Sequence, residues 1–144
     1  MNKITLTLIT LLVASALILS ACASQGSSSL AGTTWKLVSY GAVGNQILAA
    51  PGIATSLSFD ADGQVSGNMG CNQFSGTYKV KSGKIVYGSL SSTLMACPEP
   101  QMTQESTSFQ VMTGAVRFEV KDNTLTIYDA SGATSIQFSN VVSK

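Results

Sequence analysis

Arg117-Phe118-Glu119-Val120-Lys121-Asp122-Asn123-Thr124-Leu125-Thr126-Ile127-Tyr128 decides how this chain folds. Charged side chains at 117, 119 and 121 alternate with Phe118 and Val120. Leu125 and Ile127 then alternate with Thr124, Thr126 and Tyr128. Successive side chains of a strand point to opposite faces, so a period of two marks a strand with one face in a core and one in water. Asp122-Asn123 between the two runs suits a tight turn. The stretch predicts a β-hairpin.

The same alternation recurs on both sides of it. Thr34–Tyr40 sets Trp35, Leu37 and Ser39 against Lys36, Val38 and Tyr40. Ser56–Phe59 turns Leu57 and Phe59 to one face. Thr77–Lys81 puts Tyr78 and Val80 inside, and Thr134–Phe138 buries Ile136 and Phe138. Asp60-Ala61-Asp62-Gly63, Lys81-Ser82-Gly83-Lys84 and Asp129-Ala130-Ser131-Gly132 each separate two such runs, with Gly placed late for a left-handed residue. Asp60-Ala61-Asp62-Gly63 starts like a calcium loop, but the later oxygen ligands and the closing Glu are missing, so it predicts a turn.

One segment breaks the pattern. Pro98-Glu99-Pro100 precedes Gln101–Thr113, which has no Gly or Pro, and Gly114 follows. Pro near the start and Gly past the end predict a helix, with Met102, Phe109 and Met112 on one face and Glu105 or Ser106 between. About eight short strands and one helix predict a mainly β fold: a small antiparallel barrel or strongly curved sheet.

The chain has 144 residues, one domain's worth, with 44% hydrophobic and only 10% charged side chains. Its eight basic and seven acidic residues give no basic excess of the kind that binds nucleic acid. There is no His, hence neither the commonest general base nor the commonest zinc ligand. No metal or other cofactor is expected.

Met1-Asn2-Lys3 precedes an uncharged run, Ile4–Leu19, too short to span a bilayer comfortably. It ends in Leu19-Ser20-Ala21-Cys22, which resembles the bacterial lipoprotein cleavage box. Residues 1–21 are thus expected to be a signal peptide and Cys22 the lipidated first residue of the mature protein. An ordinary signal peptide with a chance Cys is the alternative. Residues 22–30, rich in Ser, predict a flexible tether to a domain over 31–142. Loss of Lys3 leaves seven basic and seven acidic side chains. Such a chain has no net attraction to an anionic surface, so the lipid is expected to do the anchoring.

Two cysteines then remain, Cys71 and Cys97. In an oxidising compartment a bridge is the leading reading. Two buried free thiols, or a reactive Cys, are the alternatives; a reactive thiolate would have no His to activate it.

Gly67 to Tyr78 is the least ordinary stretch, with three glycines in ten residues. Gly32-Thr33-Thr34-Trp35, Gly70-Cys71-Asn72-Gln73-Phe74-Ser75-Gly76-Thr77-Tyr78 and Thr93-Leu94-Met95-Ala96-Cys97-Pro98 occur in that order. Glu105 and Phe109 follow, and then Leu125-Thr126-Ile127-Tyr128-Asp129 through Gly132. Together they resemble the META domain, also called HslJ-like or DUF306, over about residues 31–140. The resemblance implies a lipocalin-like β-barrel with a helix, often carried on bacterial lipoproteins. Gly70, Cys71, Asn72, Phe74, Gly76, Tyr78, Thr93, Met95, Ala96 and Cys97 enter as structural motif residues. Family members are linked with heat-shock response, novobiocin resistance and virulence or secretion. The family brings no catalytic residues.

The functional expectation is a monomeric, non-enzymatic envelope protein. It is held at the membrane by its N-terminal lipid and binds or stabilises an envelope protein. A small-molecule carrier, or an enzyme using Asp60 and Asp62, are the alternatives. Ala23-Ser24 after the lipid Cys, with no Asp, resembles outer-membrane sorting in a Gram-negative cell.

Overall fold

The computed structural model describes residues 30–141. The expected signal peptide, Cys22 and the tether up to residue 29 lie outside them. Ten strands and one helix follow in chain order. They are β1 (Thr33–Ala42), β2 (Asn45–Leu48), β3 (Ser56–Phe59), β4 (Gln64–Asn68), β5 (Gln73–Lys81), β6 (Lys84–Tyr87) and β7 (Ser91–Ser92). Then come α1 (Gln101–Val111), β8 (Ala115–Lys121), β9 (Thr124–Tyr128) and β10 (Thr134–Asn140).

Neighbours pair antiparallel in the order β1-β3-β4-β5-β6-β8-β9-β10, and β10 pairs back onto β1. These eight strands close a barrel, so the sheet needs nothing from residues 1–29 to complete it. The expected barrel is therefore present. β2 extends β1 on one side, and β7 is a two-residue addition to β5.

Strand direction alternates around the barrel and gives it two distinct ends. One carries the turns at 60–63, 82–83 and 122–123, together with both ends of the described chain. There Gly32 N–H donates to Phe59 O at 2.7 Å and Val141 N–H to Thr34 O at 2.9 Å. The other carries the 43–44, 69–72 and 129–133 turns, the long 88–100 connection and α1. We call them the terminal end and the helix end.

Inward residues fill the barrel. Leu57, Phe59, Val65, Ile85, Leu125, Ile127, Ile136 and Phe138 are fully buried and Trp35 nearly so. Eight strands enclose an interior just wide enough for such side chains. Trp35 also donates from Nε1 to Thr33 Oγ1 at 2.7 Å.

Three expectations fail locally. Tyr40 is buried, because the β1–β10 register slips between Leu37 and Ser39. The bulge adds one residue to β1 and reverses the alternation beyond it, so that Tyr40 stands opposite buried Ile136. Val80 is exposed, one residue from the end of its strand. The helix ends at Val111, and of its expected face Glu105 and Met112 are buried. Gln104, Glu105, Ser108 and Val111 are buried, with Met112 just beyond, whereas Met102 and Phe109 are only half-buried.

Tyr87 is the least compensated interior residue. Its hydroxyl is buried and has no protein partner among the described residues. Burial also raises its pKa far above the ordinary tyrosine value. The folded chain therefore keeps this proton where the unfolded chain, titrating near 10, loses it, so stability is unaffected below that value and falls as pH rises beyond it. We expect Tyr87→Phe to leave stability at pH 7 within about 1 kcal/mol of the wild type or above it. The variant should also lose less stability than wild type between pH 10 and 12, measured by urea unfolding.

Candidate functional site

Asn72 lies just before β5, in the turn at the helix end. It is buried, and its side chain uses its full hydrogen-bonding capacity. Oδ1 accepts from Thr93 Oγ1 at 2.7 Å and Met95 N–H at 2.8 Å. Nδ2 donates to Met95 O at 3.2 Å and Glu105 Oε1 at 2.7 Å. One side chain thus ties together three stretches that are far apart in sequence.

Glu105, also buried, completes the knot from α1. Its Oε2 accepts the backbone N–H of Cys71 at 2.9 Å and of Asn72 at 2.5 Å. Including the Asn72 amide, three donors converge on one carboxylate. Such charge-assisted bonds are the strong ones. Beside them Cys71 is bridged to Cys97, with the Cα atoms 5.9 Å apart.

The glycines let backbones meet here. A Cβ on Gly70 would lie 2.8 Å from Gln101 O at the helix entrance. One on Gly76 would lie 2.6 Å from Ser89 O. Phe74 packs edge-to-face on Phe109 of α1 at 5.5 Å. Gly70, Cys71, Asn72, Phe74, Thr93, Met95 and Cys97 are therefore gathered at the helix end. Ala96 lines the cleft beside them. Tyr78 belongs elsewhere: its hydroxyl donates to Asp60 O at 3.0 Å, at the terminal end.

Two supports escaped sequence reading. Gln104, fully buried, donates to Met69 O at 2.6 Å and accepts from Ala50 N–H at 2.7 Å. Asn68 accepts from Gly70 N–H at 2.8 Å and donates to Cys71 O at 3.1 Å. An amide in the middle of a helix carries no local signal of burial. The glycine-dense turn after Asn68 was the available hint.

Outside the knot lies an apolar cleft of about 390 Å³, lined by Leu94, Met95, Met102 and Phe109. Leu94 is 96% exposed and Met95 54%. A second cleft of about 350 Å³, lined by Leu90 and Met112, shares Ser92 and Phe109 with it. Both are on the outside of the barrel, whose interior is filled by side chains.

The alternative acids are arranged differently. Asp60 and Asp62 stand on an exposed turn in which Gly63 N–H donates to Asp60 O and Gln64 N–H to Asp62 Oδ1. The structure thus makes 60–63 a hairpin turn. Among the described residues no three His, Cys, Asp or Glu side chains come together as metal ligands. The knot's own polar atoms are engaged with one another, and it holds a loop in place.

Comparison with known proteins fits this arrangement. The barrel is similar to an NMR structure of a protein from Burkholderia xenovorans, with a TM-score of 0.66 and 22% identity, covering 79% of this chain and 85% of that one. It is also similar to the crystal structure of a DUF4847-family protein from Bacteroides vulgatus, with a TM-score of 0.60 and 15% identity, covering 80% and 96%. At such identities the likeness speaks for the fold alone. No curated protein matches the chain. The META domain family model matches residues 28–141, which takes in the barrel, the helix and every residue of the knot. A barrel whose glycine turn, cysteine loop and helix glutamate are locked together in this way is the form this chain gives to that family, and the chain belongs to the META domain family.

Proposed function

We propose that this chain is a lipid-anchored, non-enzymatic protein of the cell envelope. On this reading its helix-end cleft binds or stabilises an envelope protein, in a role related to stress or drug tolerance. The carrying observation is topological. The chain enters the barrel at Leu30 on the terminal end, while the cleft with exposed Leu94 and Met95 lies on the opposite end. A lipid on Cys22 would therefore hold the terminal end toward the bilayer and present the cleft away from it. The absence of Asp after Cys22 supports the periplasmic face of the outer membrane if the cell is Gram-negative. We propose a monomer. A filled barrel interior gives no support to a ligand carried inside it.

Two measurements test the proposal. Cys22→Ala should leave the protein unprocessed or soluble. A Cys22→Ala protein that is processed and still sediments with membranes would remove the anchor. A photo-crosslinking side chain at position 94 should capture an envelope protein, while one at exposed Asp62 should not. Equal capture at both positions would remove the cleft from the reading.

A further inference from the structure

The chain's near-zero net charge hides a sharp separation of charge. Lys81 and Lys84 flank the Ser82–Gly83 turn, where both central residues are left-handed, as a tight two-residue hairpin demands. They stand directly opposite each other across β5 and β6, and Lys84 in turn stands opposite Arg117 of β8. Ile85 and Val116 point inward, so Lys81, Lys84 and Arg117 form a row across the outer face of three adjacent strands. Lys79, two residues from Lys81, shares this face, and Lys121 flanks the next turn around the barrel. All five are exposed.

Like charges placed directly across a sheet repel and destabilise it. Little in the protein relieves this row. Among the described residues the one ion pair joins Arg117 to Glu119, and the Arg117 guanidinium also lies over the Tyr128 ring. Asp122 adjoins Lys121, and Asp60 and Asp62 sit on the neighbouring turn. Lys79, Lys81 and Lys84 have no carboxylate within ion-pair distance among the described residues. The turns and helix of the opposite end hold no Lys or Arg. They carry Glu99, Glu105 and Asp129.

We propose that the Lys79–Lys81–Lys84 row, with Arg117 beside it, seats on the anionic phosphate headgroups of the membrane. The orientation rests on the lipid-anchor reading. The row is at the end where the chain leaves the barrel at Leu30. A flexible chain of eight residues, the length of 22–29, would span about 16 Å on average and at most about 29 Å when extended. The anchor thus keeps the lysines within a short distance of the headgroups, where even weak attraction orients the barrel. Each lysine near a typical anionic leaflet adds about a fivefold preference, and the attraction fades beyond a Debye length. The lysine side chains would do what net charge cannot: fix which face of the barrel meets the bilayer.

The test uses residues 22–144 with Cys22→Ser, so that no lipid takes part and its result is independent of how Cys22 is modified. Closure of β1 on β10 makes this unit self-contained, and near-UV circular dichroism checks each variant's fold. Flotation is measured with millimolar phosphatidylcholine vesicles, with and without half phosphatidylglycerol, at about 20 mM salt. We expect at least tenfold more binding to the anionic vesicles, lost at 0.5 M salt. It should also be lost in Lys79→Gln/Lys81→Gln/Lys84→Gln and retained in Lys36→Gln. Equal binding to both vesicles, or binding unchanged in the triple variant, would overturn the proposal. Release by inorganic phosphate at matched ionic strength would also overturn it, by assigning the row to a free anion.

Discussion

Reduction of the Cys71–Cys97 bridge should lower the melting temperature of the domain by roughly 15 °C. The bridge spans 26 residues. Closing a loop of that length removes about 3.5 kcal/mol of chain entropy from the unfolded state on the loop-closure model. A domain of about 100 residues shifts by roughly 4–8 °C per kcal/mol, so the expected effect is a large fraction of total stability. The loop it closes is the one that delivers Thr93 and Met95 to Asn72. Scanning calorimetry with and without reductant measures the shift. Mass spectrometry after alkylation without reductant reports whether the bridge was present. A fall of less than about 3 °C in protein shown to be bridged would contradict the argument. Two alkylated thiols in protein from an oxidising compartment would remove the bridge from the native molecule.

Replacing Glu105 with Leu should cost about 3–5 kcal/mol, comparable to breaking a buried ionic network by removing one partner. Three N–H donors, from the Cys71 and Asn72 backbone and the Asn72 side chain, converge on this carboxylate. With Leu in its place none of the three regains water, since Cys71 and Asn72 are themselves buried. Glu105→Gln should fall between. It keeps one acceptor oxygen but turns an amide N–H₂ toward groups that are also donors. Ser106→Ala, one residue along and exposed, should stay within about 0.5 kcal/mol of wild type. Urea unfolding of the three variants decides the matter. A Glu105→Leu loss no larger than that of Ser106→Ala would show that the knot is not what holds the helix end together.

Glu105 also marks the limit of what could be read beforehand. Its place in the META pattern is legible in the sequence, and the helix face expects Glu105 or Ser106 inside without choosing between them. The choice depended on Cys71 and Asn72, more than thirty residues away, offering their N–H groups to the same point. The helix face departs from the expectation in part for the same reason. Of the expected face Glu105 and Met112 are buried, while Met102 and Phe109 are half-buried; the turn above α1 presents polar backbone, which Gln104 and Glu105 meet from inside. Asn72 and Gly70, by contrast, could be singled out because their composition is locally unusual, although their partners could not be named.

Six of the ten strands, four hairpin turns, the helix boundaries to within two residues and the family were legible in the sequence alone. These rest on period-two alternation, turn chemistry and motif order, all written in residues close together in the chain. Leu57, Phe59, Leu125, Ile127, Ile136 and Phe138 went where alternation sent them. The rest followed from pairing between distant segments. Barrel closure joined β1 to β10, and a slip in that pairing turned Tyr40 inward. Register placed Lys81, Lys84 and Arg117 in one row, although the chain's charges nearly cancel. A strand's own residues fix which faces it has. Its neighbours and their register fix what each face meets.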